Sequence, residues 1–143
     1  MRGLIPAAGR GVRAYPKTAT IPKVLLEVDG QPLIERNIAI LRDAMGIRNI
    51  TIITGYLGDQ VRARLGDGSR LGVQLDYAEC PDPDAGLARG MLGVRDRFDA
   101  PFATLLGDEV YIDSNHDYLL GSSPAESADA ICGVLPGADV QFN

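Results

Sequence analysis

The sequence predicts an α/β fold in which a mostly parallel central sheet is covered by helices on both faces, as a three-layer α/β/α sandwich. One observation behind this prediction is that strand-like and helix-like stretches alternate along the chain. Another is that 45% of the 143 residues are hydrophobic and 23% are charged, which suffices to bury one sizeable core. We therefore treat residues 1–143 as belonging to one domain.

The individual elements follow from hydrophobic periodicity and from breaker residues. Apolar residues recur at helical spacing from Pro32 to Met45, where a proline suits the first turn and Gly46 suits the end of a helix. Similar reasoning predicts helices over 58–65 and 86–98, strands over 2–6, 24–28, 49–54, 73–78, 102–106 and 128–135, helical turns over 113–120 and a loop over 121–127. This order of elements is typical of a Rossmann-like fold.

Charge is unevenly distributed along the chain. The formal net charge of −5 argues against a nucleic acid or an anionic membrane surface as the main partner. All 19 acidic residues nevertheless follow Leu26, whereas five of the 14 basic residues precede it. Lys17 and Lys23 are the only lysines in the chain. A purely cationic opening segment in an acidic protein favours an anionic ligand there, with chance in an arginine-biased sequence as the alternative.

Targeting and cysteine signals are weak. The early apolar run, residues 4–8, is too short for a signal peptide core or a membrane span, so we expect a cytoplasmic protein. Cys80 and Cys132 have neither zinc-ligand spacing nor a disulfide framework around them. We expect no structural metal.

A glycine-rich loop, residues 7–13, directly follows the first strand. Glycines allow main-chain N–H groups to turn toward an anion, and an arginine such as Arg13 can make bidentate contacts to phosphate. A tight turn with solvated arginines is the alternative. A dinucleotide-binding loop is disfavoured because Pro16 opposes a continuing helix and because the strand over 49–54 ends in Gly55 instead of an acid. No Gly-Lys-Ser or Gly-Lys-Thr occurs, which excludes a Walker-type loop.

Two charged residues extend this candidate site. Lys23 follows Pro22 at the start of an apolar run, where a solvated lysine is the plainer interpretation. Asp108 follows the apolar strand over 102–106, and open α/β sheets bind ligands at the carboxyl ends of their strands. The loop, the lysine and the aspartate together predict a phosphate-binding site.

These residues resemble the signature of the sugar-1-phosphate nucleotidyltransferase family. That signature runs as glycine-x-glycine-x-arginine, a proline, proline-lysine, and then a valine, a glycine, a proline and a leucine. The matching positions here are Gly9, Gly11, Arg13, Pro16, Pro22, Lys23, Val28, Gly30, Pro32 and Leu33. Farther on, residues 105–108 resemble the strand end with the family's magnesium-binding aspartate, and residues 77–81 with 86–88 resemble the base-binding loop of glucose-1-phosphate thymidylyltransferases. The resemblance covers residues 3 to about 113.

The resemblance implies transfer of a nucleoside monophosphate from an NTP to a sugar 1-phosphate, with release of pyrophosphate. The roles it implies are nucleotide binding for Ala8, Gly9, Gly11, Arg13, Lys23 and Gly86, catalysis for Arg13 and Lys23, and Mg²⁺ binding for Asp108. The expected partners are therefore an NTP and a sugar 1-phosphate, with no nucleic acid and no membrane. Assembly into a homo-oligomer is left open.

Three features leave alternatives open. Cys80 aligns where the thymidylyltransferase loop carries a base-reading glutamine, so the base is not determined. The stretch from Pro32 to Leu57 also resembles phosphocholine cytidylyltransferases, which transfer to an alcohol phosphate. A nucleotide-sensing domain without catalysis is a third hypothesis. The family's sugar-binding residues lie beyond Asn143, so we expect a domain truncated at its C-terminus and inactive as 143 residues.

Several other polar residues receive plainer interpretations. His116 is predicted to be structural or solvated, and Cys80 to be an unreactive loop cysteine. Glu109 and Asp113 could assist the Mg²⁺, although charged residues after a strand are usually exposed. The sequence further predicts that Glu35 and Arg36 are surface charges and that four apolar residues form the core face of the helix over 86–98, namely Met91, Leu92, Val94 and Phe98.

Overall fold

The computed structural model describes residues 1–112 together with Asn115, His116, Tyr118 and Ala130. Within this part, the strands are β1 (Arg2–Ala7), β2 (Glu27–Val28), β3 (Gln31–Pro32), β4 (Asn49–Thr54), β5 (Gln74–Glu79) and β6 (Phe102–Thr104). The α-helices are α1 (Leu33–Asp43), α2 (Gly58–Leu65) and α3 (Leu87–Leu92). None of these helices is long and apolar enough to cross a membrane.

The central sheet has the strand order β5-β4-β1-β6, and every pairing in it is parallel. The chain passes from β1 to β4 and β5 on one side, and then returns to place β6 on the other side of β1. In an open α/β sheet, this reversal of direction opens a crevice at the carboxyl ends of the two diverging strands. The crevice therefore lies after β1 and β6.

Side chains alternate between the two faces of the sheet and build two separate cores. One core contains Ile5 and Ile52 from adjacent strands together with Ile38 from α1, all wholly buried. The other contains Leu4 and Ile53 from the opposite face. Each face is covered by its own layer, so the predicted three-layer α/β/α arrangement with a parallel sheet is confirmed.

Most predicted elements are found within one or two residues of their expected bounds. β4 and α2 have the predicted limits, and α1 lies inside the predicted 32–45. The helix predicted over 86–98 is instead α3 followed by a 3₁₀ turn, Arg95–Arg97. Gly90 and Gly93 weaken a continuous helix. The prediction for Leu92 is therefore wrong, because its side chain is 64% exposed, while Met91, Val94 and Phe98 do belong to the second core.

The predicted strand over 24–28 is wrong in its first half. Lys23–Leu25 forms a 3₁₀ turn, and β2 then pairs with β3 as a short antiparallel hairpin. Asp29 and Gly30 connect these strands with positive φ values of 52° and 75°, which is the conformation that a two-residue hairpin turn requires. The Asp-Gly pair was the local signal for this hairpin.

The predicted loop over 121–127, and the strand over 128–135 apart from Ala130, lie outside the described residues. Asp113, Cys132 and most of the segment 113–120 lie outside them as well.

The prediction that Glu35 is a surface charge is wrong. It lies on the core side of α1, and only 7% of its side chain is exposed. Arg64 and Arg70 each place a guanidinium nitrogen 2.8 Å from its Oε1. Burial by itself would raise the pKa of Glu35, but the hydrogen bonds from Arg70 and Arg64 outweigh burial, and the pKa is lowered. Arg36 is half-buried and donates to the carbonyl of Val28 at 3.3 Å.

Glu35→Gln should reduce both stability and its dependence on pH. We expect a loss of about 1–3 kcal/mol at neutral pH because two charge-assisted hydrogen bonds are weakened. A lowered carboxyl pKa stabilises the fold above the ordinary value of 4.5, and this contribution disappears as pH falls through the folded-state value. Urea unfolding at a series of pH values measures the difference between the parent and the variant.

Asp43→Asn is the matched control, because Asp43 pairs with Arg42 while its own side chain is 64% exposed. We expect it to cost much less than Glu35→Gln, because an exposed ion pair is screened by solvent. Equal pH slopes for the parent and Glu35→Gln would contradict the proposed role of the buried carboxylate.

Candidate functional site

A cleft of about 350 Å³ lies at the carboxyl ends of β1 and β6, where the strand order reverses. Its lining combines the main chain of the glycine-rich loop with apolar side chains and three charged ones. The lining residues are Pro6, Ala7, Ala8, Gly9, Gly11, Val12, Arg13, Lys23, Val24, Ile53, Cys80, Pro83, Gly86, Leu87, Gly90, Leu106 and Asp108. The volume and the mixture of apolar walls with a few charges are typical of small-molecule sites.

The glycine-rich loop is closely packed at Gly11. Gly11 has a φ of +65°, and a Cβ added there would lie 3.0 Å from the Cβ of Lys23 and 3.2 Å from Thr18. The hydroxyl of Thr18, which is wholly buried, donates to the carbonyl of Gly11 at 2.8 Å. Glycine is therefore needed both for the left-handed backbone and for the close approach of Lys23.

Lys23 and Asp108 form the charged centre of the cleft. Lys23 Nζ lies 2.5 Å from Asp108 Oδ2, and the two side chains are 30% and 35% exposed. Lys23 reaches this position from the 3₁₀ turn after Pro22, whereas Asp108 follows β6. An ammonium and a carboxylate thus face each other at the point where the two strand ends meet.

Arg13 supplies a second positive charge to the cleft. Its side chain is exposed and has no ion-pair partner among the described residues. An exposed guanidinium with its donors unoccupied is suited to bidentate contacts with phosphate oxygens. Of the lining residues that the structure describes, two are cationic and one is anionic, which gives the cleft a positive balance.

Arg10 is not among the lining residues, and it links the two walls of the cleft. Its Nε lies 3.2 and 3.1 Å from the two carboxylate oxygens of Asp84, a residue of the turn Pro83–Ala85 on the opposite wall. The guanidinium also lies 5.3 Å from the ring centroid of Tyr56. Both partners of the ion pair are largely exposed, so the link is a weak one.

The opposite wall carries Gly86 and Cys80. Gly86 has a φ of +89° and precedes α3. The thiol of Cys80 donates to the carbonyl of Asp82 at 3.3 Å and lines the cleft beside Gly86. Cys80, which aligns with the base-reading glutamine of the thymidylyltransferases, therefore lines the cleft and presents a thiol there.

The structure brings every predicted site residue to this one cleft. The seven are Ala8, Gly9, Gly11, Arg13, Lys23, Gly86 and Asp108. Their roles in binding and catalysis stay predictions. Sequence reasoning missed Thr18 and Asp84, because a threonine and an aspartate in polar loops carry no local sign of the partners they find across the fold.

The remaining polar candidates lie elsewhere. Glu109 is not among the described lining residues, and its carboxylate accepts a hydrogen bond from Tyr111 Oη at 2.9 Å. Burial first, and then Glu109, raises the pKa of Tyr111 to about 12. His116 is buried and stacks edge-on against Tyr111 with 4.9 Å between ring centroids, so it is packed and not solvated.

Comparison with known proteins gives one family match and three informative relatives. The chain matches the family model described as nucleotidyl transferase over residues 2–141. N-acetylmuramate alpha-1-phosphate uridylyltransferase of Neisseria meningitidis serogroup B is 40% identical over 121 residues, covering 83% of this chain and 48% of that protein. The chain thus spans about half the length of the curated relatives it matches.

Two solved structures share the fold. A protein assigned as a glucose-1-phosphate thymidylyltransferase from Bacillus anthracis, in complex with a sucrose, superposes with a TM-score of 0.77 at 32% identity, covering 85% of this chain and 49% of that one. CTP:phosphocholine cytidylyltransferase from Streptococcus pneumoniae superposes with a TM-score of 0.64 at 32% identity, covering 80% and 47%. The three relatives differ in the base that their names state.

Gly11→Ala should destabilise the fold more than Gly9→Ala, because Gly11 has a positive φ and close neighbours, whereas the space beside Gly9 is open. Gly11→Ala is expected to cost about 1–3 kcal/mol because an L-residue is strained at positive φ. Gly9→Ala is expected to stay within about 0.5 kcal/mol, since apart from chain neighbours no described atom lies within 4 Å of an added Cβ. Urea unfolding compares the two variants. Equal stabilities would contradict the constraint inferred at Gly11.

Proposed function

Because the chain belongs to the nucleotidyl transferase family, we propose that the whole protein transfers a nucleoside monophosphate from an NTP to a sugar 1-phosphate. The products are an NDP-sugar and pyrophosphate. The observation that carries the proposal is the cleft itself, in which the glycine-rich loop, Arg13, Lys23 and Asp108 converge at the switch point of the sheet. The sugar phosphate is named as acceptor in the uridylyltransferase relative.

The chemistry of the proposed step matches what these residues offer. A phosphate oxygen of the sugar 1-phosphate forms a bond to the α-phosphorus of the NTP, and the bond between that phosphorus and the bridging oxygen to the β-phosphorus breaks. Pyrophosphate leaves with the electron pair. The attacking oxygen is already anionic, so the step needs charge neutralisation and in-line alignment more than it needs a general base.

Lys23 and Arg13 supply that neutralisation from the chain itself. Lys23 is fixed by packing against Gly11 and by its ion pair, so its ammonium is oriented before a ligand arrives. Arg13 lies on the same loop as the glycines whose N–H groups are proposed to bind the phosphates. A preorganised cation contributes most where charge accumulates in the transition state.

The residues of the cleft fit Mg²⁺ that binds together with the nucleotide. Asp108 offers one carboxylate to the cleft, and no group of three or more metal-ligating side chains occurs in the part of the chain that the structure describes. Mg²⁺ in proteins commonly takes one or two carboxylates, with substrate phosphates and water completing its shell. When bound, it would neutralise the triphosphate oxygens. Asp108 would hold it, and Lys23 would remain beside the reacting phosphates.

A second candidate function is cytidylyl transfer to an alcohol phosphate such as phosphocholine. The structural likeness to CTP:phosphocholine cytidylyltransferase favours it, as does the absence of an amide at Cys80 to read a thymine. The residues proposed to act on the triphosphate would be the same, because only the base and the acceptor differ.

Pyrophosphate release by the full-length gene product tests these proposals. Each of dTTP, UTP, CTP, ATP and GTP is offered with a panel of sugar 1-phosphates and with phosphocholine. Release with a sugar 1-phosphate supports the first proposal, and release confined to CTP and phosphocholine supports the second. Nucleotide binding by calorimetry without release from any pair would instead indicate a nucleotide-sensing domain and overturn both.

Lys23→Ala should lower kcat by about 10²–10³-fold, as expected when a preorganised charge is removed from the transition state. Lys17→Ala is the matched control, since Lys17 is the only other lysine, is exposed and does not line the cleft. Steady-state pyrophosphate release measures both. Equal kcat values for the two variants would contradict a role for Lys23.

Asp108→Asn should remove most metal-dependent turnover while preserving the fold, because an amide is a poorer Mg²⁺ ligand than a carboxylate. Glu109→Gln is its control, as Glu109 neighbours Asp108 in sequence but faces Tyr111. Mg²⁺ titrations of activity, together with circular dichroism, distinguish the variants. Turnover by Asp108→Asn within a few fold of the parent would show that Asp108 is not the metal ligand.

A further inference from the structure

Asn37 is a polar side chain at the centre of the core face of α1. It is wholly buried, and so are its helix neighbours Ile34, Ile38 and Leu41. Burying a primary amide among apolar side chains is costly unless its hydrogen bonds are satisfied. The contacts of this amide therefore indicate what it does.

The amide nitrogen of Asn37 is directed at the segment that carries Asp108. Nδ2 donates to the carbonyl of Leu106 at 2.8 Å and to the carbonyl of Glu109 at 3.2 Å. Both acceptors are main-chain carbonyls, so the nitrogen and not the oxygen of the amide must face them. The two hydrogens of one amide thus span the residues on either side of Gly107 and Asp108.

These two carbonyls are the ends of a four-residue turn. The N–H of Glu109 also points toward the carbonyl of Leu106, with 3.4 Å between nitrogen and oxygen. Asp108 is the third residue of that turn. A group that bridges the first and fourth residues restricts the direction in which the third residue leaves the turn.

The other side of the turn is held by β1. The N–H of Gly107 donates to the carbonyl of Pro6 at 3.2 Å. A Cβ added to Gly107 would lie 2.9 Å from that carbonyl and 3.0 Å from Ile5, so only glycine allows this approach. The segment carrying Asp108 is therefore clamped between the end of β1 and the amide of Asn37.

We propose that Asn37 is a positioning residue for Asp108 and hence for the metal that Asp108 is proposed to hold. This inference rests on the proposed function. Asn37 is not itself one of the lining residues, and it reaches the cleft only through the main chain of the turn, in which Leu106 and Asp108 line the cleft. Without its two donors, the turn loses both hydrogen bonds to the helix, and the Leu106 carbonyl keeps only the longer contact with the N–H of Glu109. The carboxylate of Asp108 is then no longer held in one direction relative to Lys23.

The Oδ1 atom of Asn37 shows that this residue is not placed in the core for stability alone. It is buried and has no hydrogen-bond partner among the described residues. An apolar residue at this position would avoid that unsatisfied acceptor, so stability alone does not account for an amide here. The two donated hydrogen bonds to the Asp108 turn do account for it.

The test measures nucleotide affinity with and without a divalent cation, using the full-length protein and the NTP that it accepts. Calorimetric Kd values are determined with Mn²⁺ and with EDTA. We expect Asn37→Asp, which keeps the shape of the side chain but loses both donors, to reduce the Mn²⁺-dependent gain in affinity at least tenfold. The Kd in EDTA should change less than twofold. The apparent KM for Mg²⁺ should rise, while the KM for the acceptor stays within twofold.

Two further variants keep the inference falsifiable. Asn37→Ser also cannot span two carbonyls but adds no buried charge, and it replaces Asn37→Asp if that variant does not fold. Leu41→Val is the control for lost stability, since Leu41 lies one turn farther along α1 and packs near Gly3, at the opposite end of β1. Its thermal midpoint should fall, while its Mn²⁺-dependent gain stays at the parental value.

Retention of the full Mn²⁺-dependent gain by a folded Asn37 variant would overturn the inference. An equal loss in Leu41→Val would also overturn it, because destabilisation would then suffice. Absence of pyrophosphate release from the parent protein itself is a different result, since it overturns the proposed function before any Asn37 variant is considered.

Discussion

Strand β1 is hydrogen-bonded on both sides, to β4 and to β6, and both pairings are parallel. The pairing with β6 continues past its last regular residue, where Leu105 donates to Leu4 and Gly107 donates to Pro6, each at 3.2 Å. Because these strands run in the same direction, the segments that follow them leave the sheet at one edge. The glycine-rich loop and Asp108, which are far apart in the sequence, therefore meet across one cleft. The candidate site exists only because these two segments converge there.

The cleft has a positive balance of charge, whereas the protein as a whole has a negative net charge. The chain is acidic, yet its first 26 residues are purely cationic, and they supply both Arg13 and Lys23 to the lining. Asp108 offsets only one of these charges. Arg10, which is not a lining residue, pairs with Asp84 across the two walls. A positive pocket in a negative surface concentrates anionic ligands at the cleft and disfavours long polyanions elsewhere.

Three buried polar side chains maintain this geometry from outside the cleft. Thr18 holds the carbonyl of Gly11, Asn37 holds the turn around Asp108, and Glu35 ties α1 to Arg64 and Arg70. All three have 6% or less of their surface exposed. Because these three side chains are themselves buried, loss of their partners would leave their own polar atoms unsatisfied in the interior. The site is therefore supported by groups that a search for catalytic residues alone would not select.

The amino-acid sequence by itself determined most of the local elements and selected residues that line one cleft. Short-range periodicity sufficed for β4 and α2, and the spacing of glycines, Lys23 and Asp108 sufficed to select residues that line one cleft. It did not reveal that Glu35 is buried, because the cations that stabilise it, Arg64 and Arg70, lie 29 and 35 positions farther along the chain. Nor did it reveal the 2.5 Å pairing of Lys23 with Asp108 or the hydrogen bonds of Asn37 to the turn that carries Asp108. Such contacts were decided only by the tertiary structure, since they depend on how the sheet and helices pack and not on the residues nearby in the chain.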